Sequence, residues 1–276
     1  IEGIEFDLIV GNPPFGRENL LPSIRKYCEN EGFAKENVLP FLHKATKFTP
    51  NGEIALIFNT KVLTNTGGTY QNFREWLFNR CYVEKVFNFS ILRKAPKNHG
   101  GQLFGDAIGP ISIVFYQKEQ TKSPSDKIAY YAPKTYIKSN VIDGLSIDFT
   151  DLKYLPREEC QKPDTKIWKI AMWGGMKDWE LIKNILEQST SLKNYFSTEN
   201  NNWGKPKVGL HGDTSKPDFI PEKVIDVSLI ERYYTPQTAS KTNTKAFRNI
   251  DKSIFNPPLV IMKKGQHKKQ LAVSYI

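Results

Sequence analysis

The sequence has little material for disulfide or metal chemistry. Its 276 residues include only three cysteines and four histidines. Cys28, Cys81 and Cys160 are far apart, and an odd number of scattered cysteines suits neither a disulfide framework nor a zinc site. We therefore expect no metal centre and a reduced, cytoplasmic protein.

Long apolar runs are also missing. No segment approaches the roughly 20 apolar residues of a membrane-spanning helix, and the first residues show no signal-peptide pattern. The chain has no initiating methionine, and strand-like apolar runs lie near its two ends, at residues 6–10 and 271–276. From these ends we expect an excised piece of a longer protein.

Acidic residues are scarce relative to basic ones. The 39 lysines and arginines outnumber the 29 acidic residues, which gives a net charge of +10. Such an excess favours a polyanionic partner, because neutralised phosphates release condensed counterions. Residues 241–269 contain one acid, Asp251, among many basic residues. The candidate phosphate contacts in this stretch are Lys241, Arg248, Lys263, Lys264, Lys268 and Lys269.

Residues 160–276 mix aromatic residues with many lysines and polar residues. The aromatic residues are Trp168, Trp173, Trp179, Trp203, Tyr233 and Tyr234. This mixture is typical of surfaces that contact phosphates and unstacked bases. A core role is the other interpretation of the tryptophans, and we favour it for Trp168 and Trp179. Together with the basic stretch, the pattern predicts a region that contacts nucleic acid.

Apolar periodicity predicts strands that alternate with helices in the first 120 residues. The expected strands are residues 6–10, 53–58, 83–89 and 111–116, and the expected helices are residues 36–48 and 70–81. This order predicts a mostly parallel sheet covered on both faces. The connection before the fourth strand lacks helical periodicity, so that strand can enter antiparallel. A further helix is expected over residues 177–188.

One loop carries residues suited to chemistry. The run FDLIV is followed by Gly11, Asn12, Pro13, Pro14 and Phe15. Two prolines fix two φ angles and remove two backbone donors, so the loop presents carbonyl oxygens without competing N–H groups. The Asn12 amide oxygen adds an acceptor. Two acceptors beside the flat ring of Phe15 predict a pocket for a planar, amine-bearing base.

The segment FDLIVGNPPFG resembles the catalytic motif of amino-group DNA methyltransferases, in which Asn/Asp/Ser-Pro-Pro-Tyr/Phe follows the fourth sheet strand. Asn in the first position is similar to the adenine-specific branch. The segments FLHKATKFTPNGEIALIFNTKVLTN and QLFGDAIGPISIVFYQK also resemble later parts of Eco57I-like restriction-modification methylases. The resemblance covers residues 1–118 well and residues 160–276 only loosely.

The resemblance implies a mechanism and a set of roles. An adenine leaves the duplex, its amine donates to Asn12 and the Pro13 carbonyl, and its ring stacks on Phe15. Phe104 takes the place of an aromatic residue that reaches the target base. S-adenosylmethionine supplies the methyl group. The family holds this cofactor with a glycine-rich loop after its first strand and an acidic residue after its second, both upstream of the motif. This chain has no such loop before the motif, so the chain alone is expected to be inactive.

The resemblance also implies an α/β fold and a domain plan. Residues 1–120 are expected to be the C-terminal half of a Rossmann-like methyltransferase sheet, and residues 121–159 a connecting segment. Residues 160–276 are expected to be part of a mixed α+β target-recognition domain. The implied partners are double-stranded DNA and a restriction endonuclease domain or subunit, although no nuclease site is expected in this chain.

Two other functions remain open at this stage. The same loop would suit a methyltransferase acting on RNA or on a protein glutamine amide, although the basic region argues against a protein substrate. A non-catalytic DNA-binding or specificity module is the other alternative, and the intact Asn-Pro-Pro-Phe motif disfavours it. A second Asn-Pro-Pro at residues 256–258 precedes a leucine, and we interpret it as a turn.

Overall fold

The computed structural model describes the chain in several stretches. Side chains are described for residues 4–16, 19–90, 110–119, 124–134, 147–191 and 194–195. Residues 135–138, 143–146, 223–225, 240–242, 260–267 and 270–275 are described as backbone strands. Two compact units are present, Ile1–Glu187 and Gln188–Ile276.

Unit 1 contains eight strands and seven α-helices among its described residues. The strands are β1 (Leu8–Gly11), β2 (Glu53–Asn59), β3 (Tyr82–Asn88), β4 (Ile111–Gln117), β5 (Lys127–Tyr131), β6 (Thr135–Lys138), β7 (Asp143–Ser146) and β8 (Leu152–Pro156). The helices are α1 (Pro22–Asn30), α2 (Val38–Phe48), α3 (Lys61–Thr64), α4 (Gly68–Arg80), α5 (Arg157–Gln161), α6 (Lys166–Ala171) and α7 (Met176–Gln188).

Six of these strands form one mixed sheet in the order β1-β2-β4-β3-β5-β8. β1 is parallel to β2, and β3 is parallel to β5. β4 lies between β2 and β3 and is antiparallel to both. The expected α/β class and the antiparallel entry of the fourth strand are therefore confirmed.

The hydrophobic core lies between the sheet and its helices. In β2, the side chains of Ile54, Leu56 and Phe58 are buried and alternate with half-exposed neighbours. Such alternation places one face of a strand against the core. On β1, in contrast, Leu8 is 58% exposed and Val10 is 70% exposed. The sequence predicts a sheet that is covered on both faces, but the described residues leave one face of β1 uncovered.

Two other sequence expectations for the core have different outcomes. Trp168 and Trp179 are 1% and 7% exposed, so their expected core role is confirmed. Helical spacing in the sequence predicts that Phe41 and Phe48 share one face with Val38, Leu42 and Ala45, but the two rings are 45% and 38% exposed. That prediction is wrong, because the buried face of α2 is centred on Val38, Leu42 and Ala45 and the two rings lie at its margin.

The first unit extends well past residue 120. β5 and β8, from the segment expected to be a connection, pair with each other and continue the sheet. The helices α5 and α6 add Cys160, Ile167 and Trp168 to the same core. The functional domain limits expected from the sequence stay a prediction, since the compact units are defined by packing alone.

Apart from residues 188–191 and 194–195, unit 2 is described only as backbone strands. β9 (Lys223–Ile225) pairs antiparallel with β10 (Ser240–Thr242). β11 (Val260–His267) pairs antiparallel with β12 (Gln270–Tyr275), with a register shift between Met262 and Gln266. Among the residues searched, no helix combines the length and apolar character needed to cross a membrane.

A buried lysine joins the end of α6 to β8. Lys153 is 6% exposed, and its Nζ donates to the Ala171 carbonyl at 2.6 Å. This contact satisfies one of the carbonyls that a helix leaves unpaired at its carboxyl end. Burial, assisted by Lys134, lowers the pKa of Lys153 from 10.5 to about 8, although Asp151 and Asp178 oppose the change.

We expect Lys153→Met to change how stability depends on pH. Between pH 8 and 10.5 the unfolded wild type binds more protons at this position than the folded protein, so its free energy of unfolding rises with pH there. The wild type should gain on the order of 1–3 kcal/mol relative to Lys153→Met across that window. Urea unfolding at pH 7, 8, 9 and 10 measures this difference.

Comparison with the variant also cancels the effect of Cys81, which changes the free energy of unfolding with pH in the opposite direction. Burial raises the pKa of Cys81 to about 12, which lowers stability above pH 9 in both proteins alike. If the free energies of unfolding of the two proteins change in parallel with pH, burial does not disfavour the protonated form of Lys153.

Candidate active site

A close approach between two chain segments positions β1. The N–H of Glu53 donates to the Asp7 carbonyl at 2.8 Å, and a Cβ on Gly52 would lie 2.1 Å from that oxygen. Only glycine therefore fits at position 52, because any side chain would clash with the Asp7 backbone. With this contact made, β1 pairs in register with β2, and Gly11 lies opposite Leu56.

The predicted catalytic motif leaves the carboxyl end of β1 without regular secondary structure. Asn12 and Pro14 are exposed, Pro13 is buried and Phe15 is half-buried. The Phe15 ring packs against the hydrophobic core. The structure therefore brings the four residues together in one short loop, with the Asn12 amide accessible. Their roles toward a substrate stay a prediction.

The loop is held at both ends. At its start, Gly11 pairs with Leu56, whose Cδ2 atom lies 3.1 Å from the point where a Cβ on Gly11 would be. At its end, the Gly16 carbonyl accepts a hydrogen bond of 3.1 Å from the backbone N–H of Asn37. Sequence reasoning missed Asn37, because a backbone donor leaves no signal in the residue type.

A cleft of about 600 Å³ opens beside Asn12 on the exposed face of the sheet. This volume is within the range of about 300–1,000 Å³ that is usual for small-molecule sites. The cleft is bordered by apolar residues of β1, β2 and β4, among them Val10, Ile57 and Phe115. The Asn12 amide is therefore a polar group at the margin of a mostly apolar surface.

Tyr116 also borders this cleft, but its hydroxyl has a structural partner. The hydroxyl donates to the Leu42 carbonyl at 2.5 Å. Burial raises the pKa of Tyr116 well above its ordinary value of 10.0, and the nearby Cys81 adds to the effect. Because the hydroxyl stays protonated and engaged with α2, we assign it no role as a proton acceptor.

The remaining predicted contacts are only partly described. Phe104, Arg248, Lys268 and Lys269 lie outside the described residues, as does the second Asn-Pro-Pro. Lys241 is on β10, opposite Val224 of β9. Lys263 and Lys264 are on β11, within its register shift. Within the searched part of the chain, no group of His, Cys, Asp and Glu side chains could hold a metal ion.

Residues 1–93 match the model of the Eco57I restriction-modification methylase family. This segment is about a third of the chain and contains the Asn-Pro-Pro-Phe motif, β1 to β3 and α1 to α4. The family resemblance stated from the motif is therefore confirmed over it. No curated protein sequence matches the chain.

Several solved structures are similar to the chain. The M protein of the type I restriction enzyme EcoKI has 19% identity and a TM-score of 0.35, over 46% of this chain and 25% of its own. A type I methyltransferase subunit from Streptococcus thermophilus has 16% identity and a TM-score of 0.42, over 58% and 36%. The type IIG restriction endonuclease BpuSI has 16% identity and a TM-score of 0.41, over 91% and 32%. The chain thus spans between a quarter and just over a third of the length of these three proteins.

The end of the motif loop depends on a glycine. Gly16 has φ of +90°, and a Cβ there would meet no atom within 4 Å. The cost of a side chain is therefore conformational, and we expect Gly16→Ala to lower the free energy of unfolding by about 1–2 kcal/mol. Urea denaturation measures this loss.

Gly68→Ala is the matched control. A Cβ on Gly68 also meets nothing within 4 Å, but this glycine begins α4 and has no positive φ. Alanine at that position should leave stability unchanged or raise it by up to about 1 kcal/mol. An equal loss in both variants would mean that the left-handed backbone at Gly16 is not the cause.

Proposed function

We propose that this chain carries the amine-binding loop of a DNA adenine methyltransferase from a restriction-modification system. The main support is the position of Asn12, exposed at the carboxyl end of β1 and beside a cleft. In α/β sheets, ligands bind at the carboxyl ends of the strands. The family match over residues 1–93 includes this loop and adds independent support.

The chemistry of the loop suits an exocyclic amine. The nitrogen lone pair of adenine N6 is delocalised into the ring, so the amine is a poor nucleophile. Hydrogen bonds from its two N–H groups to Asn12 Oδ1 and to the Pro13 carbonyl would draw it toward tetrahedral geometry. The same acceptors would stabilise the positive charge that develops on nitrogen as it is methylated, which is electrostatic preorganisation.

The target base must leave the duplex to reach this loop. Base flipping costs a few kcal/mol, and stacking on an aromatic side chain returns about 1–3 kcal/mol. Phe15 is the stacking partner in this proposal, because its ring is half-buried and held by the core beside Asn12. A ring fixed by packing loses little entropy when a base binds. Phe104 is the proposed second aromatic contact.

Double-stranded DNA is the proposed partner of the basic region. Lys241, Arg248, Lys263, Lys264, Lys268 and Lys269 are the proposed phosphate contacts. Such contacts position a protein on DNA without reading its sequence. A restriction endonuclease domain or subunit is the further proposed partner, in line with the matched family.

S-adenosylmethionine is the proposed methyl donor of the full-length protein, but the described residues do not fit a site for it. The parallel strands β1 and β2 are followed by Asn12-Pro13 and by Thr60-Lys61. Neither sequence is a glycine-rich loop or an acidic residue of the kind that the resemblance implies. We therefore assign cofactor binding to no residue of this chain.

The catalytic assignment is tested by Asn12→Ala in the full-length protein. Loss of one of the two acceptors should lower the rate of methyl transfer to DNA by about 100-fold or more. Binding to DNA should persist, because phosphate contacts elsewhere supply most of the affinity. Transfer of labelled methyl groups, followed by digestion to nucleosides, measures both the rate and the identity of the modified base.

The same assay distinguishes the alternatives. An unchanged rate in Asn12→Ala would end the catalytic assignment. Label on RNA or on a glutamine amide, but not on adenine, would assign the loop to another substrate. DNA binding without methyl transfer by the wild type would favour a specificity module.

We also expect the isolated 276-residue chain to lack a competent cofactor site. Isothermal titration calorimetry with S-adenosylmethionine should give no binding in the micromolar range typical of enzyme substrates. A dissociation constant of a few micromolar for this chain would contradict the prediction, since it would require a site among residues that we have left unassigned.

A further inference from the structure

A fully buried carboxylate lies in the loop between α1 and α2. Glu36 has 0% exposure, and its Oε1 lies 2.6 Å from Lys61 Nζ. The Tyr70 hydroxyl donates to the same carboxylate. A charge removed from water costs several kcal/mol unless it is paired and hydrogen-bonded. Among the described residues, Glu36 therefore has two partners from different parts of the fold.

These two partners place Glu36 between fixed elements. Lys61 is the first residue of α3, two residues after the end of β2, and Tyr70 is in α4. Two further hydrogen bonds join the same loop to the start of α4. The N–H of Ala34 donates to the Thr69 carbonyl at 3.2 Å, and Asn72 Nδ2 donates to the Gly32 carbonyl at 3.0 Å. The loop at residues 31–37 is thus anchored on α3 and α4.

The neighbour of Glu36 contacts the motif loop. The N–H of Asn37 donates to the Gly16 carbonyl at 3.1 Å, one residue after Phe15. The start of the motif is fixed separately, by the pairing of Gly11 with Leu56. Through one peptide unit, the buried carboxylate is therefore connected to the second end of the motif loop.

From this geometry we propose that Glu36 is a positioning residue for the Asn12–Phe15 loop. The inference rests on the proposed methyltransferase function. Glu36 touches no substrate in this proposal and acts through Asn37 and Gly16. Its contribution is to keep Asn12 and Phe15 at the separation that an amine-bearing base requires, because a displacement of about 1 Å at a reacting group can cost about 100-fold in rate.

The test compares two Glu→Gln variants in the full-length protein. Glu36→Gln keeps the shape and an acceptor for Tyr70 but removes the charge that pairs with Lys61. Glu29→Gln is the control, because Glu29 pairs with Lys35 at 2.5 Å, close by in sequence, but both side chains are about half exposed. Exposed pairs contribute little to stability, so this variant should behave as wild type.

We expect Glu36→Gln to lower kcat for methyl transfer by about 10- to 100-fold. The KM for DNA should change by less than about 3-fold, since the phosphate contacts are not altered. In the 276-residue chain, amide hydrogen exchange at Asn37 should become at least about 10-fold faster, because this amide reports directly on the bond to Gly16. Tyr70→Phe is a milder variant for the case that Glu36→Gln does not fold, and it should shift both measurements in the same direction.

The outcomes separate this inference from the proposed function. If Asn12→Ala abolishes methyl transfer while Glu36→Gln keeps normal kcat and normal Asn37 exchange, Glu36 has no positioning role. A lower melting temperature with unchanged kcat and exchange leads to the same conclusion, because the residue is then only structural. If Asn12→Ala is fully active, the proposed function fails, whereas the exchange rate of Asn37 still decides whether Glu36 holds the loop.

Discussion

The contact between Asp7 and the turn before β2 is the constraint on which the site depends. The two backbones approach so closely that only glycine fits at position 52. This approach brings β1 alongside β2 and sets the pairing of Gly11 with Leu56. A slip of one residue would move every β1 side chain to the opposite face. The motif begins one residue later, so its orientation follows from this register.

The loop beyond this point combines local stiffness with distant support. Two prolines limit the conformations available to residues 13 and 14, which lowers the entropy lost on ordering the loop. Local stiffness alone does not fix where the loop ends. That position comes from a backbone hydrogen bond at Gly16 and from the buried ion pair of Glu36 with Lys61 behind it. The exposed Asn12 thus belongs to a loop whose end is connected to a fully buried carboxylate.

Sequence reasoning located the features that depend on local pattern. Apolar runs and alternation are sufficient for β2, β3 and β4, whose observed limits lie within one residue of expectation. The strand-to-loop transition at Gly11 was equally visible from the prolines. α1 was not predicted, because Cys28 is its only buried residue and few of its residues are apolar.

Long-range pairing was beyond the reach of the sequence. Nothing in residues 121–159 indicates that β5 would pair with β3 or that β8 would follow it, since strand partners are chosen by tertiary packing. The contacts that fix the end of the motif loop could not be predicted from the sequence for a related reason. Glu36 lies in a stretch with several charged residues, and only its burial distinguishes it from Glu29.

The position of β1 in the sheet has a practical consequence for handling the protein. In the described part of the sheet, β1 is the last strand at one edge, and it carries the exposed side chains of Leu8 and Val10. An unpaired strand edge with apolar side chains readily pairs with a strand of another molecule. At the concentrations used for crystallisation or NMR, the isolated chain will tend to self-associate along this edge, and a lysine introduced there would be the direct way to keep it monodisperse.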